Sequence, residues 1–539
     1  MDTIRLATLS AILVVAQVAS AQGPAVFQVG AAKVSLAPDP AKWQTSGCTT
    51  YGVDAPAQSP NEDHLLPSLS DLHGWPAASP DCVYLGGFGL GPVKPAAHIG
   101  HGGVWIRAVA ISNGQKTFVY GIADLVGWFA RYDGRVCPSD DCGIRDIRER
   151  IATQHGLDVG DVILGATHTH HGADAYGGWG GIPVWYREQI RDAAVQAASD
   201  AIAAMTPATI TVGELHLRNR NNERRDTYYS TADTGATWLQ ARCTGAAGCD
   251  AGAVIATWAT YAGHPTIVNV NNPPFLHADW PGASARRFEA IYGGVGLLFE
   301  GGLGNVSVSG APGAFPGGAG ITDREVAAEN TGIAIANAIA ADVDQGTNGA
   351  SLSSSEMIAA TKDLTHPAMT NPGLTTLATV GLFDREFTPA TKGAGLPGTY
   401  FWSRAGELST AAGEDNDAAP EGRALRGCLS TGPTVITTAG AHRIGEFTVA
   451  FAPGEIFSNI AEVVKEKADN TAVTMVLGQT NDSLGYIVQS FEFDTLTNAA
   501  THYGLEAAEY EEVFSIDRCF GDHVLETMLE STRAVGAGG

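Results

Sequence analysis

The sequence predicts an α/β protein in which mixed β-sheets are flanked by α-helices. Apolar runs of strand length at residues 104–111, 118–122 and 162–164 alternate with stretches of helical periodicity at residues 143–155 and 187–205. Such alternation is typical of layered α/β folds. Because polar groups directly follow several of these runs, we expect strand ends to carry the functional side chains, as they do in open α/β sheets.

The same alternation continues towards the C-terminus, so we expect a single large domain over residues 22–530. Further strands are predicted at residues 254–261, 295–299, 446–451 and 472–477, and further helices at residues 283–291, 322–341 and 456–467. Thr322 and Glu325 have the spacing of a capping box at the start of one of these helices. Residues 28–90 are loop-rich, residues 350–425 predict a β-rich elaboration with long loops, and residues 531–539 predict a flexible tail.

Residues 1–21 have the pattern of a signal peptide. Arg5 provides a weak basic region, residues 6–18 are apolar, and Ala19-Ser20-Ala21 forms a small-residue cleavage site. We therefore expect a secreted or periplasmic protein. The apolar region is too short to span a bilayer, and no later stretch reaches about 18 uninterrupted apolar residues, so no transmembrane segment is expected.

The charge and the cysteines narrow the class of protein further. A formal net charge of −25 over 539 residues argues against nucleic acid or an anionic membrane as the main partner. The even count of eight cysteines suits an oxidising compartment. Cys137/Cys142 and Cys243/Cys249 are close enough in sequence for local disulfides. The pairing of the other four is left open by the sequence: Cys48, Cys82, Cys428 and Cys519.

Residues 161–174, DVILGATHTHHGAD, carry the strongest functional signal. The pattern predicts a buried strand that ends here, with imidazoles at its carboxyl end. Side chains alternate along an extended strand, so His168 and His170 should point the same way, with His171 next to them. Neutral imidazole is the commonest protein ligand for zinc. The stretch therefore indicates a metal or catalytic site; the alternative is a set of polar residues in a loop.

Other predicted strand ends carry groups that can bind a metal or transfer a proton: His264, Ser307, Glu455 and Tyr486. Parallel strands of one sheet would collect these ends on one edge. Two imidazoles, a carboxylate and a further oxygen donor form a reasonable zinc shell, and zinc with an open position lowers the pKa of bound water to about 7. Taken singly, Glu455 could cap a helix, Tyr486 could belong to the core, and Ser307 could form a turn.

An ordered set of short segments resembles the neutral, non-lysosomal ceramidase family and its bacterial homologues. The segments are THTH at 167–170, GHPT at 263–266 with DWPG at 279–282, GNVS at 304–307, AAG with two acids at 411–415, PGE at 453–455, N…GY at 481–486 and YE at 510–511. Each segment is short, but their order is that of the family, and the similarity runs from about residue 80 to 525.

The resemblance implies a zinc-dependent hydrolase that cleaves the N-acyl amide bond of ceramide or of a related N-acyl lipid. It implies one zinc ion per chain, held by His168, His264, Glu455 and Tyr486. It also implies catalytic roles for Ser307, Tyr486, His170 and Tyr510, and substrate contacts from Arg220 and from Gly87 in the glycine-rich turn at 86–91. Since no base is evident next to Ser307 in sequence, a positioning role is favoured over direct attack. The partner would be a small amphipathic or lipid-like substrate, with transient contact to lipid surfaces.

The chain departs from the family pattern in several places. Asn305 and Val308 stand where the family's GDVSP loop has an acid and a proline, and the interval from Tyr486 to Tyr510 is longer. Because the last family-like segment lies close to Gly539, we expect no counterpart of the family's C-terminal immunoglobulin-like domain. These departures bear on ceramide as the substrate more than on amide hydrolysis, so hydrolysis of a different amide or ester is an alternative.

Two other hydrolase classes fit the sequence less well. A metallo-β-lactamase-like site requires HxHxDH, but His170 is followed by His171-Gly172. A serine hydrolase of the GxSxG type requires a nucleophile elbow, and the sequence contains none. An exported binding protein with a relic metal site is the alternative from outside the enzymes.

Overall fold

The computed structural model describes residues 24–50, 79, 81–88, 94–132, 134, 136–225, 231–246, 248–270, 273–366, 369, 371, 374, 385, 434–468, 473–493 and 510–536. The predicted signal peptide and the acidic segment at 411–415 lie outside these residues, as does most of the predicted elaboration at 350–425. Among the helices that the structure describes, none is long and apolar enough to span a bilayer.

Over these ranges the chain forms nineteen strands and seven α-helices. The strands are β1 (Phe27–Ser35), β2 (His98–Ile99), β3 (Trp105–Ser112), β4 (Thr117–Ala123), β5 (Val162–Ala166), β6 (Thr206–His216), β7 (Asn221–Glu223), β8 (Gly235–Cys243), β9 (Val254–Tyr261), β10 (Phe275–Leu276), β11 (Val295–Glu300), β12 (Val306–Val308), β13 (Gly349–Ser351), β14 (Met357–His366), β15 (Val435–Ile444), β16 (Phe447–Phe451), β17 (Glu455–Ile456), β18 (Val473–Leu477) and β19 (Tyr486–Ile487). The helices are α1 (Ile144–His155), α2 (Val184–Ala203), α3 (Asp279–Tyr292), α4 (Asp323–Gln345), α5 (Ser458–Lys467), α6 (Tyr510–Val513) and α7 (Phe520–Gly536).

The largest sheet has the strand order β11-β9-β8-β6-β1-β3-β4-β5, and β13 also pairs with β6. Its two ends are parallel pairs, β9 with β11 and β4 with β5, while the strands between them are antiparallel. A second sheet has the order β14-β15-β16-β18, in which β16 and β18 are parallel. Both sheets are therefore mixed, as the sequence predicts.

The two sheets pack face to face, and helices cover their outer faces. The interface between the sheets is apolar and includes Tyr120 and Trp258 from the large sheet and Phe447 and Met475 from the small one. Helices α1 and α2 cover one part of the large sheet, and α3 and α4 cover the part formed by β8, β9 and β11. Helices α5 and α7 cover the small sheet. The result is a four-layer α/β/β/α arrangement, which confirms the predicted fold class.

The strands predicted from apolar runs are confirmed to within two residues at either end. Helix α4 starts with the predicted capping box, because the Thr322 hydroxyl accepts from Glu325 N–H and the Glu325 carboxylate accepts from Thr322 N–H. Helix α3 starts four residues earlier than predicted, at Asp279, since Pro281 is tolerated in a first helical turn.

The prediction that residues 28–90 are loop-rich is wrong at its start. Strand β1 occupies Phe27–Ser35 and lies between β3 and β6 in the large sheet. Its sequence, FQVGAAKVS, has few large apolar residues because helix α2 packs closely on it; a Cβ on Gly30 would collide with the Ala201 carbonyl. Strands β6, β8 and β15 are also absent from the prediction. Each is paired with a neighbouring strand on both sides, a contact that the local sequence does not reveal.

Two further predictions concern the C-terminal third. Strand β14 falls in the predicted β-rich elaboration, and the other described residues of that stretch are few. Helix α7 continues to Gly536, so the predicted boundary of a flexible tail at residue 531 is wrong. The physical reason is that Ser531, Thr532 and Val535 are buried, and the Val535 carbonyl accepts from the Arg443 guanidinium at 3.2 Å.

Disulfides link Cys137 to Cys142 and Cys243 to Cys249, which confirms the two local pairs. A third disulfide links Cys48 to Cys82 and resolves one of the open pairings. Cys519 is also disulfide-bonded.

Candidate metal centre

The segment at 478–481, which follows β18, joins the ends of strands from both sheets. Its backbone hydrogen bonds run from Ala166 N–H to the Gln479 carbonyl (3.1 Å), from Gly478 N–H to the Glu300 carbonyl (2.8 Å), and from Gln479 N–H to the Gly454 carbonyl (2.9 Å). Strands β5 and β11 are opposite ends of the large sheet's strand order, yet the curl of that sheet brings them into contact. The prediction that all the functional strand ends share one sheet edge is therefore wrong. His168 and His264 follow strands of the large sheet, whereas Glu455 and Tyr486 pair with each other in a separate two-stranded sheet of β17 and β19.

Four donor atoms converge at this junction. His264 Nε2 lies 3.1 Å from Glu455 Oε2, and His168 Nε2 lies 3.4 Å from the same oxygen. The Tyr486 hydroxyl lies 3.3 Å from His264 Nε2. A tetrahedral shell with metal–ligand bonds of about 2.0–2.1 Å separates its donors by about 3.3–3.4 Å. The three separations given above, 3.1, 3.3 and 3.4 Å, are close to those of such a shell.

Backbone carbonyls fix the tautomers of both histidines. His168 Nδ1 donates to the Val126 carbonyl at 2.6 Å, and His264 Nδ1 donates to the Val306 carbonyl at 3.0 Å. In the neutral imidazole this leaves a lone pair on each Nε2, which faces the other donors. His168 Nε2 is buried and has no hydrogen-bond partner among the described residues. An orphaned, inward-facing nitrogen of this kind fits a bound cation.

The charges of the four side chains also suit a cation. Burial, with a smaller contribution from the Arg224 guanidinium, lowers the pKa of the His264 imidazole to about 4. Burial by itself raises the pKa of Glu455, but the imidazoles of His168 and His264 outweigh it and hold that pKa well below its usual value. Burial and the Glu455 carboxylate raise the pKa of Tyr486 well above 10. Without a metal, the set is thus two imidazoles, a carboxylate and a phenol.

A third imidazole, His170, lies beside this set. Ligand atoms of His168, His170 and His264 all lie within 4.8 Å of one another, so these three could also hold a metal ion. The His170 ring stacks on Phe88 with the centroids 4.6 Å apart. Burial, and then the neighbouring imidazoles, lower the pKa of His170 well below 6.5, while contact with the Gly87 backbone raises it. His170 is therefore neutral, and Gly87 lies next to it.

The arginine at this centre is Arg224, which sequence reasoning missed. Its Nη2 donates to the Tyr486 hydroxyl at 3.0 Å and to the Gly304 carbonyl at 2.8 Å, and its Nε donates to Glu511 at 2.7 Å. The signal in the sequence was the Arg224-Arg225 pair together with Glu511-Glu512, since Arg225 also pairs with Glu512 at 2.7 Å.

Arg220, which was predicted to contact substrate, lies outside this network. It occupies the turn before β7, where its carbonyl accepts from Ser309 N–H at 3.1 Å. Among the residues that the structure describes, none forms a hydrogen bond or an ion pair with its side chain. The substrate contact of Arg220 stays a prediction, and the arginine that contacts the four donors in this structure is Arg224.

Ser307 and Tyr510 both lie close to the four donors. Ser307 is half-buried in β12 and forms a parallel bridge with His264. No described imidazole or carboxylate hydrogen-bonds to its hydroxyl. The Tyr510 ring lies 5.7 Å from that of Tyr486, centroid to centroid, immediately before the glutamate that holds Arg224.

Asn305, which differs from the family pattern before Ser307, has a structural role in this chain. The Asn305 amide oxygen accepts from Ser458 N–H at 2.8 Å, at the start of α5, and its Nδ2 donates to the Thr231 carbonyl at 2.9 Å. An aspartate could not make the second of these bonds. Gly304 allows this loop to pack closely against the backbone of the Glu455 segment, because a Cβ on Gly304 would lie 2.5 Å from the Glu455 carbonyl.

Comparison with solved structures places these observations in a known fold. A search of family models and a search of curated proteins gave no match. Neutral ceramidase from Pseudomonas aeruginosa aligns with a TM-score of 0.58 and 16% identity, covering 96% of this chain and 75% of that one. A ceramidase complexed with C2 aligns with a TM-score of 0.59 and 16% identity, covering 96% and 76%. The chain has the fold of neutral ceramidase. The family resemblance drawn from the ordered segments is thus confirmed at the level of the fold.

Proposed function

We propose that the protein is a zinc-dependent amidohydrolase that cleaves the N-acyl amide bond of ceramide or a related N-acyl lipid to give a fatty acid and an amine. The observation that carries the proposal is the convergence of two imidazole nitrogens, a carboxylate oxygen and a phenol oxygen at separations of 3.1–3.4 Å. The shared fold adds support, because the ceramidase-like segments occur in order along it.

In this proposal His168, His264, Glu455 and Tyr486 hold one zinc ion per chain. Three of their donor separations, from 3.1 to 3.4 Å, are close to those of a tetrahedral shell, and together they supply two nitrogens, a carboxylate oxygen and a phenol oxygen. His170 then lies beside the metal rather than on it. A bound zinc ion supplies a Lewis acid that polarises the amide carbonyl and lowers the pKa of water.

The surrounding side chains divide the remaining work. Arg224 donates to the Tyr486 oxygen and is itself held by Glu511, so it orients the phenol and stabilises a phenolate. His170, neutral and stacked on Phe88, can accept a proton from water and return it to the leaving amine. Ser307 and Tyr510 supply hydroxyl donors that position the amide and stabilise the developing oxyanion. Burial of the centre strengthens each of these interactions.

The same proposal includes export to the periplasm or the extracellular space. The signal-peptide pattern at residues 1–21 and the disulfides support an oxidising destination. An amphipathic substrate would reach the enzyme from a lipid surface or from a dispersed form.

The test combines metal analysis with a substrate panel. Purified protein is expected to contain about one zinc per chain and to release fatty acid from at least one N-acyl amide in a panel of short- and long-chain amides and esters. Chelation should abolish the release and added zinc should restore it. Glu455→Gln should impair both zinc content and activity, whereas Glu446→Gln, at an exposed carboxylate that binds Ser353, should change neither.

Each contrary result is specific. Zinc-loaded protein that cleaves no amide or ester would favour an exported binding protein. Activity confined to esters would retain the zinc hydrolase and reject the amide substrate. Full activity in metal-free protein would reject the metal centre itself.

A further inference from the structure

One buried amide, Gln479, contacts both halves of the candidate metal centre. Its side chain is fully buried and lies 3.2 Å from His168 Nδ1. Its carbonyl accepts from Ala166 N–H, two residues before His168, and its N–H donates to the Gly454 carbonyl, one residue before Glu455. A single residue therefore connects the ligand segment that follows β5 with the ligand segment that follows β16.

The backbone at this position is held in an uncommon conformation. Gln479 has φ of +53°, and His168, which it contacts, has φ of +59°. Residues other than glycine and asparagine rarely adopt this left-handed backbone conformation. Where they do, contacts with the surrounding structure hold the backbone in it. The contacts in this case are the two backbone hydrogen bonds and the contact between the Gln479 amide and the imidazole.

The hydrogen-bond chemistry decides which amide atom faces the imidazole. His168 Nδ1 carries a proton, because it donates to the Val126 carbonyl at 2.6 Å. A protonated ring nitrogen cannot accept from an amide N–H, and the oxygen and nitrogen of a glutamine amide exchange places by rotation. The Gln479 oxygen therefore faces Nδ1–H, which it shares with Val126. The atom drawn at 3.2 Å from Nδ1 is the Gln479 nitrogen, and the exchange costs no other hydrogen bond of the oxygen, which has no partner among the described residues in its drawn position.

We propose that Gln479 is a positioning residue for the metal centre. Its amide oxygen and the Val126 carbonyl together fix the tautomer and the ring orientation of His168, and its backbone sets the spacing between the His168 and Glu455 segments. This inference rests on the proposed function, since it assigns a role towards the zinc ion. Partners of this kind change metal affinity by about 10–100-fold when they are removed.

The experiment compares three substitutions at this position in the full-length protein. Gln479→Leu keeps the volume and removes the acceptor, Gln479→Glu keeps an acceptor, and Gln479→Gly removes the side chain while suiting the positive φ. Gln240→Leu is the matched control, because Gln240 is also a buried glutamine but binds Thr257 and Arg242 within β8 and β9. The measurements are the zinc dissociation constant by chelator competition, the visible spectrum of the cobalt-substituted protein, and the melting temperature of the metal-free protein.

We expect the leucine and glycine variants to bind zinc about 10–100-fold more weakly than the wild type and to show an altered cobalt spectrum. The glutamate variant should bind within about threefold of the wild type or more tightly, since a carboxylate accepts from Nδ1–H more strongly than an amide. The control should leave zinc affinity and spectrum unchanged. If the leucine variant fails to fold, the glycine variant carries the same test.

Zinc affinity and a cobalt spectrum that are unchanged in both the leucine and the glycine variant would overturn the positioning role while leaving the proposed function intact. Weaker binding by the glutamate variant than by the leucine variant would also overturn it, because the amide nitrogen would then be the group that faces His168. A wild-type protein that binds no zinc at all would instead reject the proposed function.

Discussion

Two histidine clusters in this chain have similar composition and differ in what their ring nitrogens do. In the candidate metal centre, the Val126 and Val306 carbonyls accept hydrogen bonds from Nδ1 of His168 and of His264. His168 Nε2 faces a carboxylate without a hydrogen bond. In the second cluster, His366 uses both nitrogens: Nδ1 faces His523 Nδ1 at 3.2 Å and Nε2 bonds to Asp517 at 3.0 Å. Buried histidines next to an acid therefore do not by themselves make a metal site. The distinguishing feature is a nitrogen that the fold leaves available.

The largest expected effect separates the two clusters directly. His264→Ala should lose zinc retention, with affinity falling by more than the roughly 10–100-fold that loss of an outer-shell partner causes, because one donor of four is removed. His366→Ala should keep full zinc content and lose about 1–3 kcal/mol of stability, because Asp517 loses a buried partner. Zinc content by atomic spectroscopy and denaturant unfolding measure the two. Full zinc in His264→Ala, or zinc loss in His366→Ala, would break the comparison.

The next effect concerns the arginine that holds the phenol. Arg224→Gln should lower kcat/KM by about 100-fold with zinc content unchanged, because the guanidinium that stabilises the Tyr486 oxygen is lost. Arg220→Gln should stay within about twofold of the wild type. Steady-state kinetics on the best amide of the panel provide the measurement. A larger loss of kcat/KM in Arg220→Gln than in Arg224→Gln would show that Arg220, the arginine predicted from the sequence, is the functional one.

A pH titration of zinc retention sharpens the comparison. Burial keeps the pKa of His264 at about 4, so its imidazole is neutral and able to bind metal well below pH 6.5. Zinc should be retained from pH 7 to about pH 5 and be lost towards pH 4. Because the folded pKa lies below the unfolded value of about 6.5, this histidine also contributes stability to the metal-free protein that is full above pH 6.5 and is lost as pH falls towards 4. Zinc release centred near pH 6.5 would contradict the buried site.

The smallest effect is expected at Ser307. Its hydroxyl has no imidazole or carboxylate partner among the described residues, so a positioning role predicts that Ser307→Ala lowers kcat by no more than about tenfold. A nucleophile would instead lose most of the activity, by about 10⁴-fold or more. Single-turnover kinetics separate the chemical step from product release. A loss of the larger size would make Ser307 the attacking group.

Sequence reasoning recovered the parts of the fold that local pattern determines. Strands β5, β9 and β11 are mostly apolar because sheets or helices cover both faces, and the capping box at Thr322 is a local signal. Strand β1 was missed because it has few large apolar residues. Small residues are needed there because helix α2 packs closely on the strand, a contact that exists only in the folded chain. The curl of the large sheet, which brings β11 to β5, has no signature in the sequence.

The candidate site shows the same division. His168, His264, Glu455 and Tyr486 stand at strand ends that local pattern identifies, and the structure brings them together. Arg224 was missed because its partners are Tyr486, Gly304 and Glu511, all distant in sequence. Gln479 has no local signal either, since its contacts to Ala166, His168 and Gly454 arise only when the two sheets meet.

Anomalous diffraction at the zinc edge tests the central claim most directly. The account predicts one peak per chain, surrounded by His168 Nε2, His264 Nε2, Glu455 Oε2 and the Tyr486 oxygen at about 2.0–2.2 Å. A peak bound by His168, His170 and His264 without Glu455 and Tyr486, or no peak between these strand ends in zinc-supplemented crystals, would contradict it.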